Sequence, residues 1–267
     1  MLVFLRDLKR NFRSWLVWTA AVAGLVGLYM TIYPSLAGQN EALSKFIAAM
    51  PEKLRAAFNM QLFSSGNGVL DFYAVKGLAI VLLAGGIYAV QLVAGATAKE
   101  ESDKTIEFLL SKPVTRKALM TGKVAVVGLY IVLFNVVVTA AGYVAMRLVD
   151  VGAFSLQGYL LLASSSLLID LAIAAVMLCA SVFVTKYKRL FPLGVGLVLV
   201  AYILSVVAKL SIKLDPLRWL SPFGWADPAE ILNRMAIAPV YLVLFTVLTV
   251  GLVAATYVFY DRKDIIV

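Results

Sequence analysis

The sequence predicts an all-α integral membrane protein with six transmembrane helices. Three observations carry this. The 267 residues are 62% apolar, with a mean hydropathy of +0.93. Only 15% are charged, against about a quarter in an average soluble domain. The apolar residues also fall into six runs long enough to cross about 30 Å of hydrocarbon, a distance that takes roughly 20 helical residues. The charges collect at the ends of those runs.

In Met1–Arg13, Phe4, Leu5, Leu8 and Phe12 share one helical face, while Arg6, Lys9, Arg10 and Arg13 are polar. This pattern predicts an amphipathic helix over residues 1–13, lying at the interface with its basic residues toward anionic lipid. A basic tail that only sets orientation is the plainer alternative. A cleavable signal is not expected, because the next run has no small-residue cleavage site and reads as a full span. That run, Trp15–Tyr33, is 19 residues without a charge.

Pro34–Lys76 then leaves the bilayer. Helical spacing on both sides of Pro51 predicts two short helices, with Leu43, Phe46 and Ile47 on one apolar face and Leu54, Ala57 and Phe58 on another. Gly77–Ala98 gives a second span of 22 residues, in which Gly85, Gly86 and Gly95 allow close helix approach. Val124–Met146 gives a third of 23 residues. Val151–Thr185 is apolar except for Asp170 and holds a fourth span over 158–184. Leu190–Ala208 is the fifth, with Gly194 and Gly196 read as packing positions, and Met235–Tyr260 holds the sixth over 236–260. Residues 1–267 therefore read as a single transmembrane domain with both termini on one side.

Basic residues favour the cytoplasmic side of short loops. With both termini inside, 15 of the 24 Lys and Arg lie in inner segments. The tally predicts cytoplasmic termini and a multi-pass protein of the cell membrane. Because the basic residues sit at span ends, the net charge of +9 points to the bilayer and not to nucleic acid.

Between spans five and six, Ser211–Arg234 carries three prolines and the aromatic group Trp219, Phe223 and Trp225. Asp227 before Pro228 is an N-cap followed by proline at the first helical position. A short helix dipping back at the outer face fits, as does an ordinary aromatic belt loop.

Several chemistries are excluded. Cys179 stands alone inside an apolar run, so there is no internal disulfide and no thiolate metal site. There is no histidine, which removes the usual zinc and general-base constellations. No G-x-x-x-x-G-K-[ST] occurs, so the chain does not bind ATP through a P-loop.

The most specific stretch is Lys99–Lys123, with six of the 24 basic and four of the 15 acidic residues between two apolar runs. Glu100 and Lys104 form an i,i+4 pair in the favourable order. Ile106, Leu109 and Leu110 make an apolar stripe, and Glu101, Asp103 and Glu107 an acidic face. Pro113 ends the helix by disfavouring helical geometry at Lys112. Thr115 can then cap the helix that becomes span three. The product is a short amphipathic elbow on which a cytosolic partner could push. The carboxylates at 100, 101, 103 and 107 suit a docking surface better than an active site, since only Asp261 and Asp264 supply other acids on that side.

The wording of this stretch resembles the cytoplasmic loop of ABC-2-type exporter permeases. Glu101, Thr105, Glu107, Leu109, Leu110, Ser111, Pro113, Val114, Thr115, Arg116, Gly122 and Lys123 carry the resemblance, and Lys104 departs from it where glycine is usual. The resemblance implies that the elbow is a coupling helix docking on a nucleotide-binding subunit, through Glu100, Glu101, Asp103, Lys104, Thr105, Ile106, Glu107, Leu109, Leu110, Pro113 and Arg116. It also implies a second permease subunit, identical or related, separate cytosolic ABC ATPases that bind ATP and Mg²⁺, and export of a substrate. This chain would itself be non-catalytic and hold no cofactor. Short outer re-entrant elements before the last span are a further family feature. A secondary transporter or channel would need paired intramembrane charges, and a membrane enzyme would need clustered catalytic residues.

Asp170 is the one acid within a span. An intramembrane carboxylate is a functional candidate by default. It follows Ser164-Ser165-Ser166, which makes one strip of span four polar. A hydrogen bond to a neighbouring helix, a hinge or a shallow position near the outer leaflet is favoured over a substrate-facing or proton-linked role.

Overall fold

A computed structural model of the chain describes residues 2–37, 40–64, 68–98, 115–149, 152 and 154–262. Among the described residues there is no strand, and six helices are long and apolar enough to cross a membrane. Span one is Leu2–Met30. Span two begins as Val69–Phe72, passes through a π-helical segment at Tyr73–Gly77 and continues as Leu78–Ala96. Span three is Arg116–Val149, span four Leu156–Phe183, span five Tyr187–Ala208 and span six Pro239–Arg262.

Spans two and four form the centre. In their most apolar stretches 67% and 61% of residues are buried, against 22% in span one and 11% in span six. The outer spans therefore present leucine and valine outward, as at Leu16, Val17, Leu28, Val243, Val247 and Val250, where a bilayer is the matching solvent. Span one packs along span three and span two, span four along spans two and six, and span five along span two. Glycine permits the closest approaches. A Cβ at Gly194 of span five would stand 2.5 Å from Val90 of span two, whereas Gly196 faces open space and is not a packing position. Four large tyrosines, Tyr73, Tyr88, Tyr130 and Tyr159, are fully buried, and Tyr88 stacks on Phe134 with ring centroids 4.9 Å apart.

The amphipathic segment 1–13 is not a separate element. It forms the first turns of span one, which runs without a break from Leu2. Its apolar residues Phe4 and Leu8 pack on the protein core, and the Tyr130 hydroxyl donates to the Leu8 carbonyl at 2.5 Å. Half of the stripe thus docks one helix on another, while Leu5 and Phe12 remain exposed.

Helices also run beyond the predicted apolar runs. Span two starts at Val69, ahead of Lys76, and span three includes Lys117, Lys123 and Arg147. A charged head at the end of a long stem can reach the interface while the helix continues, or, as at the buried Lys123, find a carbonyl of a neighbouring span, so charge does not mark the end of the helix. Pro239 does mark a boundary as the first residue of span six, whereas Pro192 lies inside span five.

Spans one, three, four, five and six, with span two between them, alternate in direction, which gives two opposite faces. The elbow face holds the start of span one and the ends of spans two, four and six. The far face carries Tyr33–Ala37, Asn40–Ala49, Glu52–Ala57 and a 3-10 turn at Met60–Ser64, then, after span five, a 3-10 turn at Ile212–Leu220 and the short helices Pro222–Trp225 and Pro228–Arg234. Pro51 stands at the N-cap of the helix Glu52–Ala57. Of the two expected apolar faces, Ile47 and Ala57 are buried while Phe46, Leu54 and Phe58 are exposed. Asp227 caps Pro228–Arg234 by accepting from the Ala229 N–H at 3.0 Å, and Met235 ends it in the left-handed conformation at φ 49°.

Candidate functional site

Glu100, Glu101, Asp103, Lys104, Thr105, Ile106, Glu107, Leu109, Leu110 and Pro113 lie outside the described residues. The frame that bears the elbow is described, from the end of span two at Ala98 to the restart at Thr115. Thr115 accepts from the Ala118 N–H at 3.2 Å and so caps span three. The Arg116 Nη1 donates to the Asp261 carbonyl at 3.4 Å, and Lys117 pairs with the Asp261 carboxylate at 3.7 Å. Tyr257 of span six donates to Thr121 of span three at 3.0 Å. The start of span three is thus tied to the end of span six.

The end of span two is held by cations from two other spans. The buried Lys123 ammonium donates to the Ala96 carbonyl. Arg10 donates to the Gly95 carbonyl at 3.2 Å. The last carbonyls of a helix carry partial negative charge, so this is where cations are favoured. Beneath them Asp7 is fully buried and receives Arg6 at 2.8 Å and Arg10 at 3.5 Å. Lower in the same interface, Trp18 donates to Gln91 at 2.7 Å, and Gln91 donates to Ser14 at 3.2 Å. Spans one, two and three therefore meet as one block where the elbow departs. Arg6 and Arg10, expected to face anionic lipid, have protein partners here. Asp7, an acid within a basic segment, was the signal that they have a protein partner.

A second polar cluster lies at mid-depth. Asp170, at the middle of span four, accepts from the Asn135 Nδ2 of span three at 2.8 Å. Asn135 also donates to the Ile131 carbonyl at 3.1 Å and accepts from the Ser166 hydroxyl at 2.6 Å. All three side chains are buried. The other Asp170 oxygen and the buried Tyr88 hydroxyl make no hydrogen bond. Asn135 is the partner that the sequence analysis lacked. As an amide at the centre of the uncharged run Val124–Met146, it was the visible clue.

Six membrane-crossing helices packed around spans two and four are the architecture of a multi-pass membrane protein. The chain belongs to the ABC-2 family of transporter proteins, whose profile matches residues 1–265. It is the membrane permease component of an ABC transporter. No curated protein matches the chain.

Proposed function

We propose that this permease works in the cell membrane as a subunit of an ATP-driven exporter, paired with a second permease and served by separate cytosolic ATPase subunits. Both termini and the elbow face the cytoplasm in this reading. The ATPases hold ATP and Mg²⁺, and this chain contributes no catalytic group. Glu100, Glu101, Asp103 and Glu107 offer the acidic docking face, Ile106, Leu109 and Leu110 the apolar one, and Lys104, Thr105, Pro113 and Arg116 shape the helix and its exit.

One observation carries the reading: the helix ends on both sides of the elbow are anchored. Lys123 and Arg10 grip the end of span two, and Arg116 and Lys117 join the start of span three to Asp261. A push delivered between residues 98 and 115 would be shared by spans one, two, three and six, because none of these ends can yield alone. Asp170 is a scaffold group in this scheme, spent on a helix–helix contact at mid-depth.

The test is retention of the ATPase. Reversing Glu101 and Glu107 to lysine should leave the permease in the membrane and strip the cytosolic P-loop ATPase from affinity-purified material. Wild-type retention by the double variant would remove the docking assignment.

A further inference from the structure

An apolar cavity of about 620 Å³ lies between spans three and four on the bilayer side. Val136, Ala140 and Tyr143 form one wall, and Leu160, Ala163 and Leu167 the other. The two alanines make its waist. It opens laterally beside Val136 and Leu160, both of which are more than half exposed. Three of the polar side chains along it are hydrogen-bonded within the protein. Ser164 donates to the Leu161 carbonyl at 2.8 Å, Tyr159 to the Thr139 carbonyl at 2.5 Å, and Asn135 is spent on Ile131 and Asp170. The wall therefore offers little to water and suits hydrocarbon.

A cation lies beside Tyr143, one of the residues that line this groove. The Arg147 guanidinium lies 5.5 Å from the Tyr143 ring centroid and 4.9 Å from that of Phe154. Its Nε donates to the Tyr143 hydroxyl at 3.2 Å and one Nη1 hydrogen to the Gly152 carbonyl at 3.4 Å. A guanidinium has five N–H donors, so among the described residues three remain for a ligand. Arg147 is the first charge after Val124–Met146, which places it at headgroup depth, while Asn135 marks the middle of that run. The two are twelve residues apart on one helix, about 18 Å at the helical rise and about the depth of one leaflet.

We propose that this groove is a binding site for an anionic glycerophospholipid, with one acyl chain lying between spans three and four and the phosphate on Arg147. Charge beside the groove, leaflet-matched length and a dry wall together select this occupant. Any phosphodiester can make a charge-assisted contact with the guanidinium, but a zwitterionic lipid brings its choline cation beside Arg147, whereas an anionic headgroup brings no opposing charge. The site is independent of how the ATPase docks.

The complex is purified from membranes in neutral detergent, and native mass spectrometry and thermal unfolding are followed with added phosphatidylglycerol, phosphatidylcholine of the same chain length, or inorganic phosphate. Phosphatidylglycerol should stay bound and raise the unfolding midpoint by several degrees, with phosphatidylcholine clearly weaker and phosphate without effect. Arg147→Gln should lower phosphatidylglycerol occupancy about tenfold, the loss of one charge-assisted contact. Ala163→Phe, which fills the waist, should abolish retention of both lipids. Equal binding of the two lipids, an Arg147→Gln variant with wild-type lipid preference, or phosphate matching phosphatidylglycerol would each overturn the assignment. So would quantitative cross-linking of Leu160→Cys to a second copy in membranes, in a Cys179→Ala background, which would make the groove a subunit interface. Should Ala163→Phe fail to fold, the lipid comparison on the wild type and Arg147→Gln still decides.

Discussion

Gly85 of span two lies against the Asp170 carboxylate of span four. A Cβ added at Gly85 would stand 2.7 and 2.9 Å from the two carboxylate oxygens. The central pair of helices therefore closes only because one side offers no side chain where the other offers an acid.

This contact predicts the effect of a single methyl. Gly85→Ala should lower stability by about 1–3 kcal/mol, the usual cost of overpacking a core. Heat-dependent loss of the monodisperse peak in detergent measures it. Combining Gly85→Ala with Asp170→Ala should cost less than the two changes added, because the second makes the room that the first requires. Strict additivity would mean that the two sites do not meet.

Asp170 itself is expected to behave as a helix–helix contact. Asp170→Asn keeps an oxygen to accept from Asn135 and should retain most folded yield and transport. Asp170→Leu leaves one Asn135 N–H without its partner. Such contacts between membrane helices average about 0.6 kcal/mol and reach about 1.7, while an unsatisfied buried donor costs about 1–3, so a loss near 1 kcal/mol is expected. A transporting carboxylate would reverse the order: the asparagine variant would fold well and transport nothing. Yield and transport measured side by side distinguish the two.

Features set by a few neighbouring residues were legible in the sequence. The Asp227–Pro228 cap is such a local signal and the structure has it, whereas the rings of Trp219, Phe223 and Trp225 pair with Tyr241, Tyr202 and Phe245 of spans six and five, a pairing that no local signal gives. The six apolar runs were legible because hydrocarbon imposes one length on all of them. Helix ends were not, since hydropathy reports the slab and a helix passes through its edge, as at Lys76 and Lys123. Long-range pairing was not legible either. Asp170 and Asn135 are 35 residues apart, and nothing in the spacing of either span selects the other. The first helix shows a different failure. An apolar stripe has the same periodicity whether it meets lipid or protein, and only the fold places Leu8 against Tyr130.

Arg218 should organise the far-face segment before span six. Its Nε donates to the Gly224 carbonyl at 2.9 Å, its guanidinium pairs with Glu230, and it lies 5.0 Å from the Tyr241 ring centroid. Burial works against its charge, but the Glu230 hydrogen bond and the surrounding charges outweigh this and hold the group above its ordinary range. Arg218→Met should therefore cost about 2 kcal/mol, because it removes the donor to the Gly224 carbonyl and leaves Glu230 to Arg234, which pairs with it at 3.3 Å. Arg218→Lys should fall between, keeping the charge but losing the fork. Unfolding midpoints in detergent give the order, and equal values for all three would show that the cluster contributes nothing.

The orientation of the whole bundle can be tested with single cysteines. With both termini inside, the inner segments hold 15 of 24 basic residues, and the far face is the outer one. Gly152 and Asp215 lie on that face, in the segments after span three and after span five. Ser102 lies in the elbow. In a Cys179→Ala background, Gly152→Cys and Asp215→Cys should react in intact cells with a membrane-impermeant thiol reagent, and Ser102→Cys should react only after the membrane is opened. Each position has its own control in the opened sample, so an unreactive cysteine is separated from a protected one. Labelling of Ser102→Cys in intact cells would invert the bundle and put the elbow out of reach of any cytosolic ATPase. The topology result thus bears on the proposed coupling as well as on the charge rule, because an elbow can receive a push only from the side that it faces.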